Sequence, residues 1–405
     1  MRLLYNSALT VAATLLLLAS CSSTTNNDTP TAPEEWDNKP FETKNILDYN
    51  PKNGDKRIDA FFKHLHKVSG FNGNILVAKK GKIIYQNALG WADYLHRDSL
   101  KINSKFELAS VSKTMTGTAI MQLWERGKIK LDQNVKDFFP DFPYDGITIR
   151  LLLTHRSGMM NYVYFIEKVY KQEHLSQRKG LTNAEAMALI AKYKPARYNK
   201  PDKSFHYNNS NYMVLAAIIE KVTGKTYADY MKENVFVPAG MKNTAVYSKA
   251  VYDKIPVDVV GHDRNSFKYS VPQNYLDGPV GDKGIYGTIG DLLIFDRALR
   301  AGRLLKKATM DSAYTAHNPL LRGHFSYGYG WRTFDGPGQK VVYHTGWWHG
   351  FRHIYLRDMK NDITIVLLGN KVNASLLKLD ELYNIAGMPV VRKDAYKGNG
   401  DTSDD

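Results

Sequence analysis

The sequence predicts a mixed α/β (α+β) fold, in which helices flank a central antiparallel sheet and an all-helical subdomain is attached. Two observations support this prediction. Strand-like segments lie near both ends of the chain, and the stretch from about residue 131 to about residue 288 is typical of helices joined by loops. We therefore expect segments from both ends to meet in one sheet, with the helical stretch as an insertion.

The predicted helices follow from apolar residues at helical spacing and from residues that start or stop a helix. Gly70, Gly127 and Gly224 are stop signals for three of them, and Thr288 can cap the last. The predicted helices cover residues 55–68, 110–127, 149–153, 211–222 and 291–299.

The predicted strands are β-branched runs separated by short turns. Two runs within residues 74–88 flank Lys80-Gly81, which indicates a hairpin. Near the other end of the chain, three more strands are expected at residues 339–344, 352–357 and 363–368.

The N-terminus resembles a lipoprotein signal peptide. Arg2 precedes an apolar run from Ala8 to Leu18 that is too short for a membrane-spanning helix, and Cys21 is the only cysteine of the chain. We expect cleavage before Cys21, lipid on its sulfur, and an exported protein anchored to a membrane of the cell envelope, facing the periplasm or the surface. An ordinary signal peptide with a chance cysteine is the alternative. A single cysteine excludes an intramolecular disulfide.

Composition divides the chain into four segments. Residues 1–20 are the signal peptide, and residues 21–50 are polar, contain prolines and are expected to be a flexible tether. Residues 51–390 are long enough for one large domain with a substantial core, and they include the helical insertion. Residues 391–405 are expected to be a disordered tail.

The chain is basic, with a net charge of +15 from 55 Lys and Arg and 40 Asp and Glu. This charge could favour anionic envelope polymers, and peptidoglycan is a candidate partner. The basic residues are scattered rather than gathered in an arm or stripe with aromatic residues, so nucleic-acid binding is not expected. There is neither an HExxH nor a CxxC motif, so no metal site is expected.

Three short motifs indicate the chemistry. Residues Ser110–Lys113 form an SxxK motif, Tyr207–Asn209 a YxN motif, and His344–Gly346 an HTG motif. Two further matches compete with them. The SxxK at residues 375–378 has no YxN or HTG after it, and the YxN at residues 85–87 precedes every candidate nucleophile. Only the set that begins with Ser110 has the required order.

Ser110 is the candidate nucleophile, and its hydroxyl needs a base. Lys113 would lie one helical turn away on the same face. A lysine acts as a base only when its amine is neutral, which burial and nearby cations favour. The amide of Ser110, at the start of a helix, is a candidate oxyanion donor. For this motif alone, a serine cap beside an exposed lysine is the alternative.

The YxN motif precedes the predicted helix at residues 211–222 and supplies two polar side chains. Tyr207 could pass a proton to the leaving group. Asn209 could hold a substrate carbonyl and the side chain of Lys113. A surface tyrosine followed by a helix-capping asparagine is the alternative.

The HTG motif ends a predicted strand. An edge strand beside the nucleophile can offer backbone groups to a substrate, and Gly346 permits close approach. Thr345 and Gly346 are therefore assigned to substrate binding, and the amide of Trp347 is the second candidate oxyanion donor. His344 could donate to a substrate carboxylate or polarise Tyr207, with a histidine satisfied inside the protein as the alternative. His155, in a Leu-Thr-His-Arg-Ser-Gly segment, is expected to be structural.

Together these motifs resemble the serine β-lactamase and penicillin-binding protein family, in its class C β-lactamase-like, DD-peptidase or esterase branch. Further segments look like signatures of that family, and the likeness extends from about residue 55 to about residue 385. These segments are residues 106–114, 125–132, 147–159 and 284–292.

The resemblance implies a β-lactamase/transpeptidase-like fold with the active site between an α/β part and a helical part. It implies an acyl-enzyme on Ser110, with Lys113 and Tyr207 as the acid/base pair. It also implies that Asn209 contacts substrate and that the amides of Ser110 and Trp347 are the oxyanion donors. No metal or organic cofactor is implied.

Two positions depart from the family pattern. His344 stands where class C β-lactamases usually carry lysine, and Trp347-Trp348 replaces small residues. Both departures disfavour efficient β-lactam hydrolysis. We therefore expect a serine hydrolase that acts on a small-molecule or peptide acyl substrate, namely an ester, amide or D-amino-acid peptide. The alternatives are a true class C β-lactamase, a penicillin-binding-like receptor or cell-wall peptide binding module with little turnover, and a scaffold lipoprotein.

Overall fold

The computed structural model describes residues 42–174, 180–248, 257–264, 269–318, 324–336 and 338–388. The predicted signal peptide with Cys21, most of the predicted tether and the predicted tail lie outside these residues. The strands are β1 (Gly73–Lys79), β2 (Lys82–Leu89), β3 (Trp91–Asp93), β4 (Asp98–Ser99), β5 (Phe106–Glu107), β6 (Ala245–Val246), β7 (Ile285–Gly287), β8 (Phe325–Tyr327), β9 (Arg332–Gly336), β10 (Gln339–Trp348), β11 (Phe351–Asp358) and β12 (Ile363–Gly369).

Helices surround these strands, and none of those in the described ranges combines the length and the apolar character that a membrane crossing requires. The helices of five or more residues are α1 (Lys56–Ser69), α2 (Ser112–Glu125), α3 (Ile149–Leu153), α4 (Tyr162–Gln172), α5 (Asn183–Tyr193), α6 (Asn209–Thr223), α7 (Tyr227–Met231), α8 (Ile289–Arg300), α9 (Lys307–Ala313) and α10 (Asp380–Ala386). A π-helical turn at Lys232–Phe236 continues α7.

The central sheet has seven strands in the order β2-β1-β12-β11-β10-β9-β8. Strand β1 lies antiparallel between β2 and β12, with Gly73 opposite Gly369, so segments from both ends of the chain meet in one sheet. The fold class predicted from the sequence is therefore confirmed. The predicted hairpin is also present, and Lys80 and Gly81 have φ angles of 52° and 73°, which suit a tight turn between right-twisted strands.

Strand β10 differs from its prediction in length and position. It was expected to end at the HTG motif, but its pairing with β11 continues to Trp348 opposite Phe351. It was also expected to be an edge strand, which is wrong for the sheet as a whole, because β9 pairs with it on the other side. That pairing stops at Tyr343, so β9 leaves the HTG part of β10 uncovered.

Alternating side chains of the sheet pack on two different layers, as strand geometry requires. Ile75 and Ile365 belong to an apolar cluster with α1 and α10 on one face. Leu76 and Val366 belong to a larger cluster on the other face, which includes residues of α2, α6 and α8. The HTG strand and the helix that follows Ser110 therefore meet on the second face.

The helical stretch is organised around α6, whose residues from Ser210 to Ile219 are all buried. The Asn208 side chain caps its start by accepting the N–H of Ser210, and Gly224 ends it with φ of 68°. Two short strands interrupt the stretch, since β7 pairs with β6 and with β5 in a small sheet. The β5 strand leads directly to Ser110.

Candidate active site

A sharp turn places Ser110 between β5 and α2. Residues Ala109–Val111 form a single 3-10 turn, and buried Ala109 has φ of 48°, in the left-handed region that a side chain makes unfavourable. The turn is held because the Leu108 N–H donates to Ile285 O at 2.8 Å. Ser110 itself is partly exposed, so its hydroxyl is accessible at the start of the helix.

Lys113 is fully buried one turn into this segment. Its Nζ lies 2.9 Å from Ser110 Oγ, 2.8 Å from Asn209 Oδ1 and 3.0 Å from the main-chain oxygen of Asp282. The predicted contact of Asn209 with Lys113 is therefore present in the structure. The third oxygen comes from a residue that the sequence did not single out.

The hydrogen-bonding capacity of a neutral amine matches these three contacts. The oxygens of Asn209 and Asp282 can only accept hydrogen bonds, whereas a serine hydroxyl can also donate. A neutral lysine has two N–H groups and one lone pair. It can therefore donate to both acceptors and direct its lone pair at the Ser110 proton, which is the arrangement a general base requires.

His155 fixes the segment that carries the YxN motif. Its main-chain oxygen accepts the N–H of His206 at 2.8 Å, and its Nδ1 accepts the N–H of Asn208 at 3.1 Å. Burial, together with the charge of Lys113, lowers the pKa of His155 well below its usual value, so the ring is neutral. The structural role expected for His155 is therefore supported by its contacts.

Tyr207, of the YxN motif, lies between the SxxK and HTG motifs, with Lys113 on one side and His344 on the other, and is largely buried. Its ring centroid is 5.0 Å from Lys113 Nζ, 5.0 Å from Arg332 Cζ and 4.4 Å from the His155 ring. Two basic side chains, those of Lys113 and Arg332, thus lie against this tyrosine. A phenol beside a lysine amine is placed to exchange a proton with it, as the sequence predicts for Tyr207.

His344 is fully buried, and the protein contacts both of its ring nitrogens. The Nδ1 atom lies 2.6 Å from Thr345 O and the Nε2 atom 3.1 Å from the Tyr327 hydroxyl. Burial, then the charges of Arg332 and Lys113, hold the pKa of His344 well below its usual range. A neutral ring must carry its proton on Nδ1, because the carbonyl can only accept. Direct donation to a substrate carboxylate would require one of these contacts to break.

Gly346 brings β10 against the backbone that carries the nucleophile. A Cβ atom at this position would lie 2.7 Å from Leu108 O and 2.9 Å from Cδ2 of His353. These distances leave room only for glycine. The next residue, Trp347, continues β10 directly after this close approach, opposite Arg352 of β11.

The two tryptophans after the HTG motif lie in different surroundings. Trp347 is 40% exposed, and the guanidinium carbon of Arg352 lies 3.2 Å from its ring centroid. Trp348 is partly buried and donates its Nε1–H to Asp277 Oδ1 at 2.5 Å. The first indole can therefore form a wall of the cleft, whereas the second fastens β10 to the segment before β7.

The two competing motif matches do not form comparable sites. Lys378 Nζ contacts Ser69 Oγ at 3.1 Å rather than Ser375, which is buried in its own turn. Tyr85 lies in β2 and donates its hydroxyl to Asp59 at 3.1 Å. Within the described ranges, no group of three or more His, Cys, Asp or Glu residues is arranged to hold a metal ion.

Sequence reasoning missed Asp282, Arg332 and Tyr327. Asp282 lies between Gly281 and Gly284, both with positive φ, and this pair of glycines beside a signature-like segment was a usable signal. Arg332 and Tyr327 belong to two short strands that were not predicted. Their positions depend on the sheet, which local patterns do not specify.

Comparison with known proteins gives consistent results. Residues 58–386 match the protein family described as Beta-lactamase. The chain is 32% identical over 332 residues to Penicillin-binding protein 4* of Bacillus subtilis (strain 168), covering 79% of this chain and 72% of that protein. It is 26% identical over 322 residues to a D-aminopeptidase of Cereibacter sphaeroides, covering 78% of this chain but only 59% of that protein.

A solved structure supports the same relationship. The crystal structure of a penicillin binding protein from Bacillus halodurans superimposes with a TM-score of 0.69 at 25% identity. The match covers 81% of this chain and 98% of that chain. The overall fold is thus common to both proteins.

Proposed function

Because the chain belongs to the beta-lactamase family and is a serine hydrolase, we propose that it cleaves an ester, an amide or a D-amino-acid peptide through an acyl-enzyme on Ser110. The observation that carries this proposal is the set of three oxygens around Lys113 Nζ, at 2.8 to 3.0 Å. A buried amine with two acceptors and one hydroxyl is equipped to remove the hydroxyl proton.

In the proposed acylation, Ser110 Oγ attacks the substrate carbonyl carbon and its proton passes to Lys113 Nζ. The carbonyl oxygen becomes an oxyanion, which accepts hydrogen bonds from the amides of Ser110 and Trp347. The bond to the leaving group then breaks. Lys113 returns the proton to the leaving oxygen or nitrogen, directly or through the Tyr207 hydroxyl.

Deacylation repeats these steps with water. A water molecule attacks the acyl carbon and gives its proton to the same acid/base pair, and Ser110 recovers a proton as the acid product leaves. Asn209 keeps Lys113 in place during both steps and is proposed to contact the substrate carbonyl. No metal or organic cofactor enters this scheme.

Two features support an ester or peptide rather than a β-lactam as substrate. His344 is neutral and internally bonded, so it does not supply the positive charge that lysine would bring at this position. Trp347 provides a large apolar surface next to the proposed oxyanion site. Similarity to a D-aminopeptidase supports the peptide within this group of substrates.

The test is an intact-mass time course of the full-length chain mixed with a penicillin and, separately, with a p-nitrophenyl ester. We expect a covalent adduct that adds the mass of the whole penicillin, or the acyl group of the ester with loss of p-nitrophenol. It should be absent in Ser110→Ala and retained in Ser375→Ala, which removes the serine of the competing motif. An adduct of long lifetime would favour the receptor alternative, and rapid turnover of penicillin would favour a true β-lactamase. Ester turnover that is undiminished in Ser110→Ala would refute the proposal.

We also propose that Cys21 is lipidated and anchors the enzyme to a membrane of the cell envelope, where peptidoglycan is within reach. The support is the apolar run before the single cysteine. Metabolic labelling with a fatty-acid analogue should mark the wild type and leave Cys21→Ser unlabelled. Equal labelling of both proteins would contradict the anchor.

A further inference from the structure

One buried histidine links β11, the strand that pairs with β10, to the segment that leads to Ser110. His353 lies in β11 directly opposite Gly346 of β10 and is 2% exposed. Its Nε2 atom lies 2.5 Å from the main-chain oxygen of Glu107, three residues before Ser110. The imidazole therefore links the sheet to the backbone that turns into the nucleophile.

The chemistry of the contact defines the state of the ring. A carbonyl oxygen only accepts hydrogen bonds, so Nε2 must carry a proton and donate it to Glu107 O. Burial lowers the pKa of His353 to about 4, which leaves a neutral ring with its proton on Nε2 near neutral pH. The rings of Phe106 and Phe351 lie 6.1 Å and 5.9 Å away and restrict its orientation.

The same ring also limits the approach of β10. A Cβ at Gly346 would lie 2.9 Å from His353 Cδ2 and 2.7 Å from Leu108 O. The imidazole, the glycine of β10 and the segment before Ser110 are thus packed together without spare room. The distance between the amides of Ser110 and Trp347 depends on this packing.

We propose that His353 is a positioning residue that sets the spacing of the oxyanion hole by tying β11 to the backbone of Glu107. The inference rests on the proposed function, because it assumes that the amides of Ser110 and Trp347 bind the oxyanion. Loss of the link would free the nucleophile segment to move relative to β10. Since an oxyanion-hole donor must lie about 2.7 to 3.1 Å from the oxyanion, a small shift of the donor affects the transition state more than the bound substrate.

A pair of substitutions separates the hydrogen bond from the packing. His353→Leu retains the approximate side-chain volume but removes the N–H donor to Glu107 O. His353→Gln retains an N–H group at a comparable distance. With a p-nitrophenyl ester, we expect kcat of the Leu variant to fall about 10- to 100-fold with KM nearly unchanged. The Gln variant should retain most of the wild-type kcat.

A transition-state analogue gives a readout that a purely structural role would not change. A small boronic acid forms a tetrahedral adduct with the nucleophile, so its affinity should fall in the Leu variant by the same factor as kcat. Unchanged boronate affinity and kcat in His353→Leu, or an equal loss in His353→Gln, would overturn the inference. Thermal unfolding of both variants checks that they fold.

A measurement on the wild type keeps this inference distinct from the proposed function. In the nitrogen-15 NMR spectrum of histidine-labelled protein, His353 should appear as the neutral Nε2–H tautomer at neutral pH. An Nδ1–H tautomer or an imidazolium would overturn the inference whether or not the protein hydrolyses any ester. Absence of a Ser110 adduct alongside the expected tautomer would instead count against the proposed function.

Discussion

Replacing Gly346 with alanine tests whether close packing of β10 against the nucleophile segment is needed for acylation. The added Cβ would lie 2.7 Å from Leu108 O and 2.9 Å from His353 Cδ2. The first neighbour is a main-chain atom next to the strained turn at Ala109, so it cannot rotate away. Either β10 or the segment that carries Ser110 must therefore move.

The required movement can be worked out from these distances. An ordinary carbon contact is at least 3.4 Å, so the backbones must separate by about 0.7 Å. A displacement near 1 Å at a reacting centre costs about 100-fold in rate, so we expect the acylation rate to fall about 10- to 100-fold. Overpacking of this kind should also lower the free energy of unfolding by about 1 to 3 kcal/mol.

The assay is the rate of Ser110 adduct formation by intact mass, together with urea unfolding of the same protein. Gly290→Ala is the matched control, because Gly290 lies in α8 and its nearest neighbours are flexible Leu47 methyl groups at 3.4 Å. The control should acylate at the wild-type rate. A Gly346→Ala variant with unchanged acylation and unchanged stability would show that the two elements are not packed as described.

Three further outcomes are expected. Asn209→Ala removes an acceptor-only oxygen 2.8 Å from Lys113 Nζ, so adduct formation should slow about 10-fold or more, and an unchanged rate would contradict this role. Arg357→Met removes one partner of the buried Asp296 carboxylate, at 2.6 Å, while Arg300 remains at 2.8 Å, so urea unfolding should show a loss of about 1 to 3 kcal/mol, and an unchanged free energy of unfolding would contradict this ion pair. The pKa of His353 is lowered from 6.5 to about 4, so the unfolded chain binds this proton first as pH falls. Between pH 6.5 and 4, the wild type should lose about 3 kcal/mol more stability than His353→Gln, and equal losses would contradict the burial of a neutral ring.

The large sheet was predictable where strands are long and apolar. The hairpin around Lys80-Gly81 and the strands near residues 352–357 and 363–368 follow from local patterns and are present. The end of β10 was not predictable, because Gly346 and the polar and aromatic residues after it break the alternation that marks a strand. Pairing with β11 maintains the extended backbone there, and this partner is fixed by tertiary structure.

The nucleophile and its base were predictable for a geometric reason, since residues three apart on a helix share a face. The contact of Asn209 with Lys113 joins residues 96 positions apart, and that of Asp282 joins residues 169 positions apart. Motif order suggested the first contact, but nothing local suggested the second. The role of His353 escaped sequence reasoning because its partner is a main-chain oxygen, which leaves no trace in residue identity.

The placement of β1 beside β12 also has a kinetic consequence. Asn72 donates its side-chain amide to Asn370 across 298 positions of the chain, and Gly73 pairs with Gly369 beside them. Closing a loop of that length costs conformational entropy before the stabilising contacts between the strands can form, and this makes such pairing slow. During synthesis, the β1–β2 hairpin is made long before β12, and its apolar surface stays uncovered until β12 pairs with β1. A chain that stops before residue 363 lacks the strand between β1 and β11, so folding of the sheet is postponed until β12 has been synthesised.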